Sequence, residues 1–154
     1  MDKPNSRAVD AVPTEIDVKK QYFVALMNNN PANWRAIESK FPPSDPENIH
    51  YNVKAWIHLA WIGLEHDNMN EAAEAAAKIL QPRTSMTADS VSRVLALVIQ
   101  AMVKLHNNNP KAADAKMLEA KMLNENLSPE EKDMVKKAMP WSVYNQWLLP
   151  IEIE

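Results

Sequence analysis

Imidazole is the side chain that titrates nearest neutral pH, so His50, His58, His66 and His106 are the first residues to test for chemistry. Three of them recur every eight residues, and on a helix each such step turns the side chain by about 80°. They therefore do not share a face. A metal-binding helix needs His at i and i+4, or a His-Glu-x-x-His run, and neither occurs. His66 stands where a helix is expected to end, a place the helix dipole favours for a cation without any catalytic role. Glu71 and Glu74, like Glu130 and Glu131, fall in first helical turns, where negative charge stabilises the N-terminus. Acid–base work needs two acids converging on a cleft, and no spacing singles out such a pair. No serine lies in a nucleophile elbow, and the absence of Cys excludes disulfides, thiolate metal sites and thiol nucleophiles. The expectation is a chain that is not an enzyme, with no catalytic residues, metal ligands or cofactor.

The elements that hold these residues can be read from composition. A single Gly among 154 residues cannot build a phosphate-binding loop, a dinucleotide fingerprint or a set of tight hairpin turns. Hydrophobic residues at 46% and charged residues at 24% fit a globular protein of one core. A formal charge of −3 argues against nucleic acid as partner. No stretch approaches ~18 uninterrupted apolar residues, and no apolar run follows Met1–Arg7. The expected setting is soluble and cytoplasmic, with no membrane span.

With Gly nearly absent, Asn and Pro punctuate the chain. Asn30-Pro31, Asp45-Pro46, Asn109-Pro110 and Ser128-Pro129 each read as an N-cap followed by Pro at the first helical position. Glu131 completes a capping box with Ser128. These signals predict seven helices behind a loose arm over 1–13, all within one domain over 14–154. They run over about 14–27, 31–40, 46–66, 70–81, 87–106, 110–123 and 129–139. Expected core positions are Ile16, Tyr22, Phe23, Leu26 and Met27 on the first helix, and Trp34, Ile37 and Phe41 on the second. On the third, Ile49, Val53, Trp56, Ile57, Ala60 and Leu64 share one face. The fourth is Ala-rich, which lets a neighbour approach closely. The fifth is apolar nearly all round and should be sandwiched. Met102, Met117, Met122, Met134 and Met139 read as core fillers.

The run Asn28-Asn29-Asn30-Pro31 recurs as Asn107-Asn108-Asn109-Pro110, with Asp67-Asn68-Met69-Asn70 between them at spacings of 39 and 40 residues. A period in this range marks stacked helical hairpins. In the middle unit Trp56, Leu59, Ala60, Gly63 and Ala72 stand where a tetratricopeptide repeat has its signature residues, Ala76, Ile79 and Pro82 follow approximately, and Asp67 stands at the turn where the family usually has Gly. Residues 54–82 therefore resemble that family. Ala96, Ile99, Val103, Asn107 and Ala112 follow the pattern more loosely, and the period of about 40 exceeds the family's 34. The resemblance implies an all-α fold of three stacked antiparallel hairpins, with the last helix and tail as a cap. An irregular helical bundle is the alternative.

Two polar lines cross these apolar helices: Tyr51, Lys54, His58 and Glu65 on the third, and Arg93, Gln100 and Lys104 on the fifth. In stacked hairpins the first helix of each pair lines the concave face, so the two lines are expected to face one groove and bind a partner. Otherwise they are the solvated strips of two buried helices. Trp147, Leu148, Leu149, Ile151 and Ile153 make a dense apolar tail, expected to fold onto the fifth and sixth helices as a cap, or to pair two copies as a homodimer. The resemblance implies a protein or peptide partner, as for an adaptor or chaperone-like scaffold. An inhibitor or immunity-type protein acting through an acidic surface, and a helical enzyme with an inter-helix site, are the alternatives.

Overall fold

The computed structural model describes residues 15–81, 89–140 and 143–144. Among them are seven α-helices and no strand: α1 (Glu15–Asn28), α2 (Pro31–Lys40), α3 (Ile49–Glu65), α4 (Met69–Leu80), α5 (Ser90–His106), α6 (Pro110–Glu125) and α7 (Pro129–Lys137). The expected arm over 1–13, the connection 82–88, Trp141 and the tail from 145 lie outside the described residues.

Punctuation by Asn and Pro acts through identifiable atoms. Asn30, Asn109 and Ser128 cap α2, α6 and α7, each accepting a backbone N–H three residues on, with Pro at the start of the helix. Ser128 and Glu131 form the reciprocal capping box. At the helix ends Asn29, Asp67 and Asn108 adopt positive φ of 45°, 60° and 62°. Asn and Asp tolerate this left-handed backbone better than other residues with a Cβ, which is how the chain turns three times without Gly. One expected cap fails. Asp45 does not start α3; its carboxylate accepts the N–H of Glu47 in a local turn, and the helix begins four residues later at Ile49. Buried Asn52 fastens that turn by donating to the carbonyls of Phe41 (2.8 Å) and Asn48 (2.9 Å).

Consecutive helices pack pairwise, α1 on α2, α3 on α4 and α5 on α6, with α2 on α3 and α4 on α5 joining the pairs, whereas α7 packs on α5 rather than on α6. The odd helices also touch in sequence, α1 to α3, α3 to α5, α5 to α7. Trp34, Ile37, Ile79, Leu95 and Ile99 are among the fully buried side chains of the core. As expected, α5 is sandwiched, with ten buried residues. The only Gly, Gly63, sits where α4 crosses α3. A Cβ there would lie 2.9 Å from the Asn68 carbonyl and 3.1 Å from the Ala72 nitrogen.

Two core assignments are corrected. On α1 the inward residues are Val18 and Ala25, with Tyr22 half-buried, whereas Phe23, Leu26 and Met27 are exposed. Apolar residues cover most of that helix, so periodicity did not select a face; the small Ala25 fits the close approach and the larger side chains turn out. The side chain of Ile16 is outside the description. Met122 and Met134 are likewise exposed rather than core fillers, while Met117 and Met139 are buried.

Candidate partner-binding groove

The three left-handed residues provide a common register for the odd helices. Counting back six places from Asn29, Asp67 and Asn108 gives Phe23, Trp61 and Met102. Trp61 and Met102 line one groove of about 340 Å³. Its other walls come from His58, Ile62, Leu64 and Glu65 of α3, Asn29 after α1, and Pro140 and Val143 after α7. Phe23 holds the corresponding place on α1 and is half exposed. Trp61 and Met102 thus form an apolar wall of the groove, and Phe23, which does not line it, matches them in sequence register.

His58 owes its position to that framework. Its ring stacks on Trp34 with centroids 4.0 Å apart and planes 3° from parallel. Trp34 Nε1 in turn donates to Asn29 Oδ1 at 2.9 Å. Burial, and secondarily the charge of Lys54, push the imidazole pKa below its ordinary value, so the groove presents a neutral ring at neutral pH. One helical turn earlier, Lys54 Nζ lies 5.3 Å from the centre of the Tyr22 ring. Burial and the neighbouring Tyr51 hold the Tyr22 hydroxyl above its ordinary pKa.

The two expected polar lines are separated by the structure. His58 and Glu65 line the groove and Lys54 is exposed beyond it. Tyr51 is buried, its ring 5.7 Å from that of Tyr22, so it stands behind the exposed stripe. Arg93, Gln100 and Lys104 lie about 180–200° around α5 from Met102, on the opposite side of the helix from the groove. They occupy the register of Asn52, Leu59 and Gly63, which is the face α3 turns inward. Arg93 Nε and Gln100 Oε1 are buried without a hydrogen-bond partner, and Lys104 is exposed. A shared groove for both lines does not form. Reading each helix on its own concealed this; aligning the units on their left-handed residues would have paired Trp61 with Met102 instead.

A second groove, of about 470 Å³, lies between α2 and α4 over Trp56 and Leu59. Four of its charged side chains answer one another. Arg35 pairs with Glu71, Lys78 Nζ lies 3.1 Å from Glu38 Oε1, and that oxygen also accepts from Trp56 Nε1 at 2.9 Å. Such internal pairing ties the two helices together and leaves little to offer a ligand. Among the described residues no group of three His, Asp or Glu is placed to hold a metal ion, and no helix is long and apolar enough to cross a membrane. No protein family, curated protein or solved structure matches this chain.

Proposed function

We propose that the chain is a non-enzymatic protein-interaction module, a tetratricopeptide-like stack of three helix hairpins that takes a peptide segment of a partner in the groove of its odd helices. The observation that carries this reading is the groove in which Trp61 and Met102 stand partly open to solvent, with Phe23 half exposed at the matching register of α1. Sequential contact of the odd helices supports the stacked arrangement. Exposed apolar side chains in register are costly to keep unless something covers them. Exposed Lys54, whose amine lies over the Tyr22 ring, favours a segment with acidic residues beside its apolar anchors.

Panning a random-peptide phage library against the chain tests this. Enriched peptides should carry aromatic or aliphatic anchors near acids, and should lose binding to Phe23→Asp and to Lys54→Glu. Both variants change exposed positions and should melt within a few degrees of the parent. No enrichment, or enrichment indifferent to both substitutions, overturns the reading.

A further inference from the structure

Among the described residues five buried side-chain polar atoms have no hydrogen-bond partner, and one of them, Trp61 Nε1, belongs to a residue that lines the groove. The other four, on Asn52, Arg93, Gln100 and Asn124, belong to residues that do not. An indole N–H can only donate, and leaving it unpaired away from water carries the desolvation cost of the group in full. Trp34 shows the contrast, since its indole is satisfied by Asn29 Oδ1. Trp61 calls for an oxygen acceptor that the described chain does not supply.

Glu65 is the second unmet demand. It is exposed, and with His58 neutral it is the one charged side chain among the described residues that line the groove. Its carboxylate stands in the last turn of α3, where no basic residue accompanies it and where the helix dipole disfavours an anion. No ion pair joins it to a described Lys or Arg.

The spacing of the two sets a register. Glu65 follows Trp61 by four residues, so it lies about 6 Å further along the same face of α3. An extended peptide advances about 3.3 Å per residue and turns alternate side chains to one side. Two positions therefore separate a side chain beside Trp61 from one that reaches Glu65. The apolar walls of Ile62, Met102 and Val143 suit an aliphatic side chain at the first of them.

We infer that the segment taken by this groove is an extended peptide with an aliphatic residue and, two positions away, a Lys or Arg. The aliphatic side chain lies between Trp61 and Met102, the base pairs with Glu65, and a peptide carbonyl accepts from Trp61 Nε1. The inference rests on the groove being a peptide-docking surface and adds the register of its ligand. Lys54 lies outside the groove, about 10 Å before Trp61 along α3, and so places the acid of the same peptide on the far side of the aliphatic residue from the base.

Panning the peptide library against the parent and against Glu65→Lys in parallel tests the register. Glu65 is exposed and Lys suits the last turn of a helix, so the variant should fold as the parent does. Peptides selected on the parent should carry Lys or Arg two positions from an aliphatic residue. Those selected on the variant should keep the aliphatic residue and carry Asp or Glu in place of the base. A synthetic parent-selected peptide should bind the variant about 3–10-fold more weakly. In ¹⁵N-labelled chain the Trp61 indole signal, assigned by its loss in Trp61→Phe, should move downfield on adding that peptide, and further than the signal of Trp34, which is already bonded to Asn29. Peptides that depend on Phe23 and Lys54 but are indifferent to Glu65→Lys, or that leave the Trp61 signal in place, would overturn the inference and leave the docking reading standing. No enrichment on either protein overturns both.

Discussion

At the scale of single residues, His58 shows how packing sets a charge state. Its ring lies flat on Trp34, which Asn29 holds by a hydrogen bond, and its pKa is lowered chiefly by burial and then by Lys54. The unfolded chain therefore takes up a proton on this ring before the folded protein does. Stability contributed by the neutral ring is fully present above the ordinary histidine value near 6.5 and is lost as pH falls from there toward the folded pKa. Urea denaturation between pH 7.5 and 5 should show a decline that His58→Gln reduces; an identical slope in the variant would show that the ring does not carry it. Gly63 gives a second test. Ala is worth about 1 kcal/mol in helix propensity, yet here its Cβ would press on the backbone of Asn68 and Ala72 at 2.9 and 3.1 Å. Backbone cannot rotate away as a side chain does, so Gly63→Ala should lower unfolding free energy by about 1–3 kcal/mol, the cost of overpacking. A stabilised variant would mean that α4 yields freely. Trp34 and Trp56 were legible as core in the sequence because each falls on a clear helical period. Asn52 was not: a polar side chain that is 0% exposed earns its place through Phe41 and Asn48, partners no periodicity reveals.

At the scale of elements, boundaries were legible wherever a side chain caps its own helix. Asn30, Asn109 and Ser128 do so through atoms three residues away, which is a local rule and readable locally. Asp45 shows the limit, since Asp before Pro serves an Asx-type turn as well as a cap, and the tie of Asn52 to Asn48 and Phe41 decides between them. The turns offer a sharper prediction. Asp67 closes α3 at φ 60°, a conformation Gly accepts freely and Ala accepts only at a cost of about 1–2 kcal/mol. Asp67→Gly should therefore hold or raise the midpoint of thermal unfolding while Asp67→Ala lowers it; equal effects would detach the turn's stability from its backbone geometry. Ser128→Ala removes one arm of the capping box and should cost about 1 kcal/mol, read from the same melts. The inward face of α1 was illegible for a different reason. With Val18, Tyr22, Phe23, Val24, Leu26 and Met27 wrapped around it, every direction looks apolar, and only the fit of Ala25 against its neighbours selects one.

At the scale of the whole molecule, burial is distributed unevenly among the described helices. Ten residues of α5 are buried, and four other helices, α3, α4, α6 and α7, pack on it, whereas α1 inserts Val18 and Ala25 fully and otherwise leans on α2 and α3 through Tyr22. In the proposed stack of hairpins each unit is stabilised mainly by its immediate neighbours, so the outermost pair has one interface where the central pair has two. Opening α1 alone exposes little apolar surface, and opening α5 dismantles the core. Native-state hydrogen exchange should therefore find α5 amides exchanging only through global unfolding, with α1 amides protected by roughly 2–4 kcal/mol less, about the burial worth of one or two large side chains. The exposed face of α1 sharpens the argument: Phe23 contributes nothing to holding that helix while the groove is open, but a segment docked against it would add an interface where α1 has fewest. A peptide selected on the groove should accordingly raise α1 protection more than α5 protection. Equal protection in α1 and α5 without peptide would make the described helices one cooperative unit, and the groove's edge would then be as rigid as its centre.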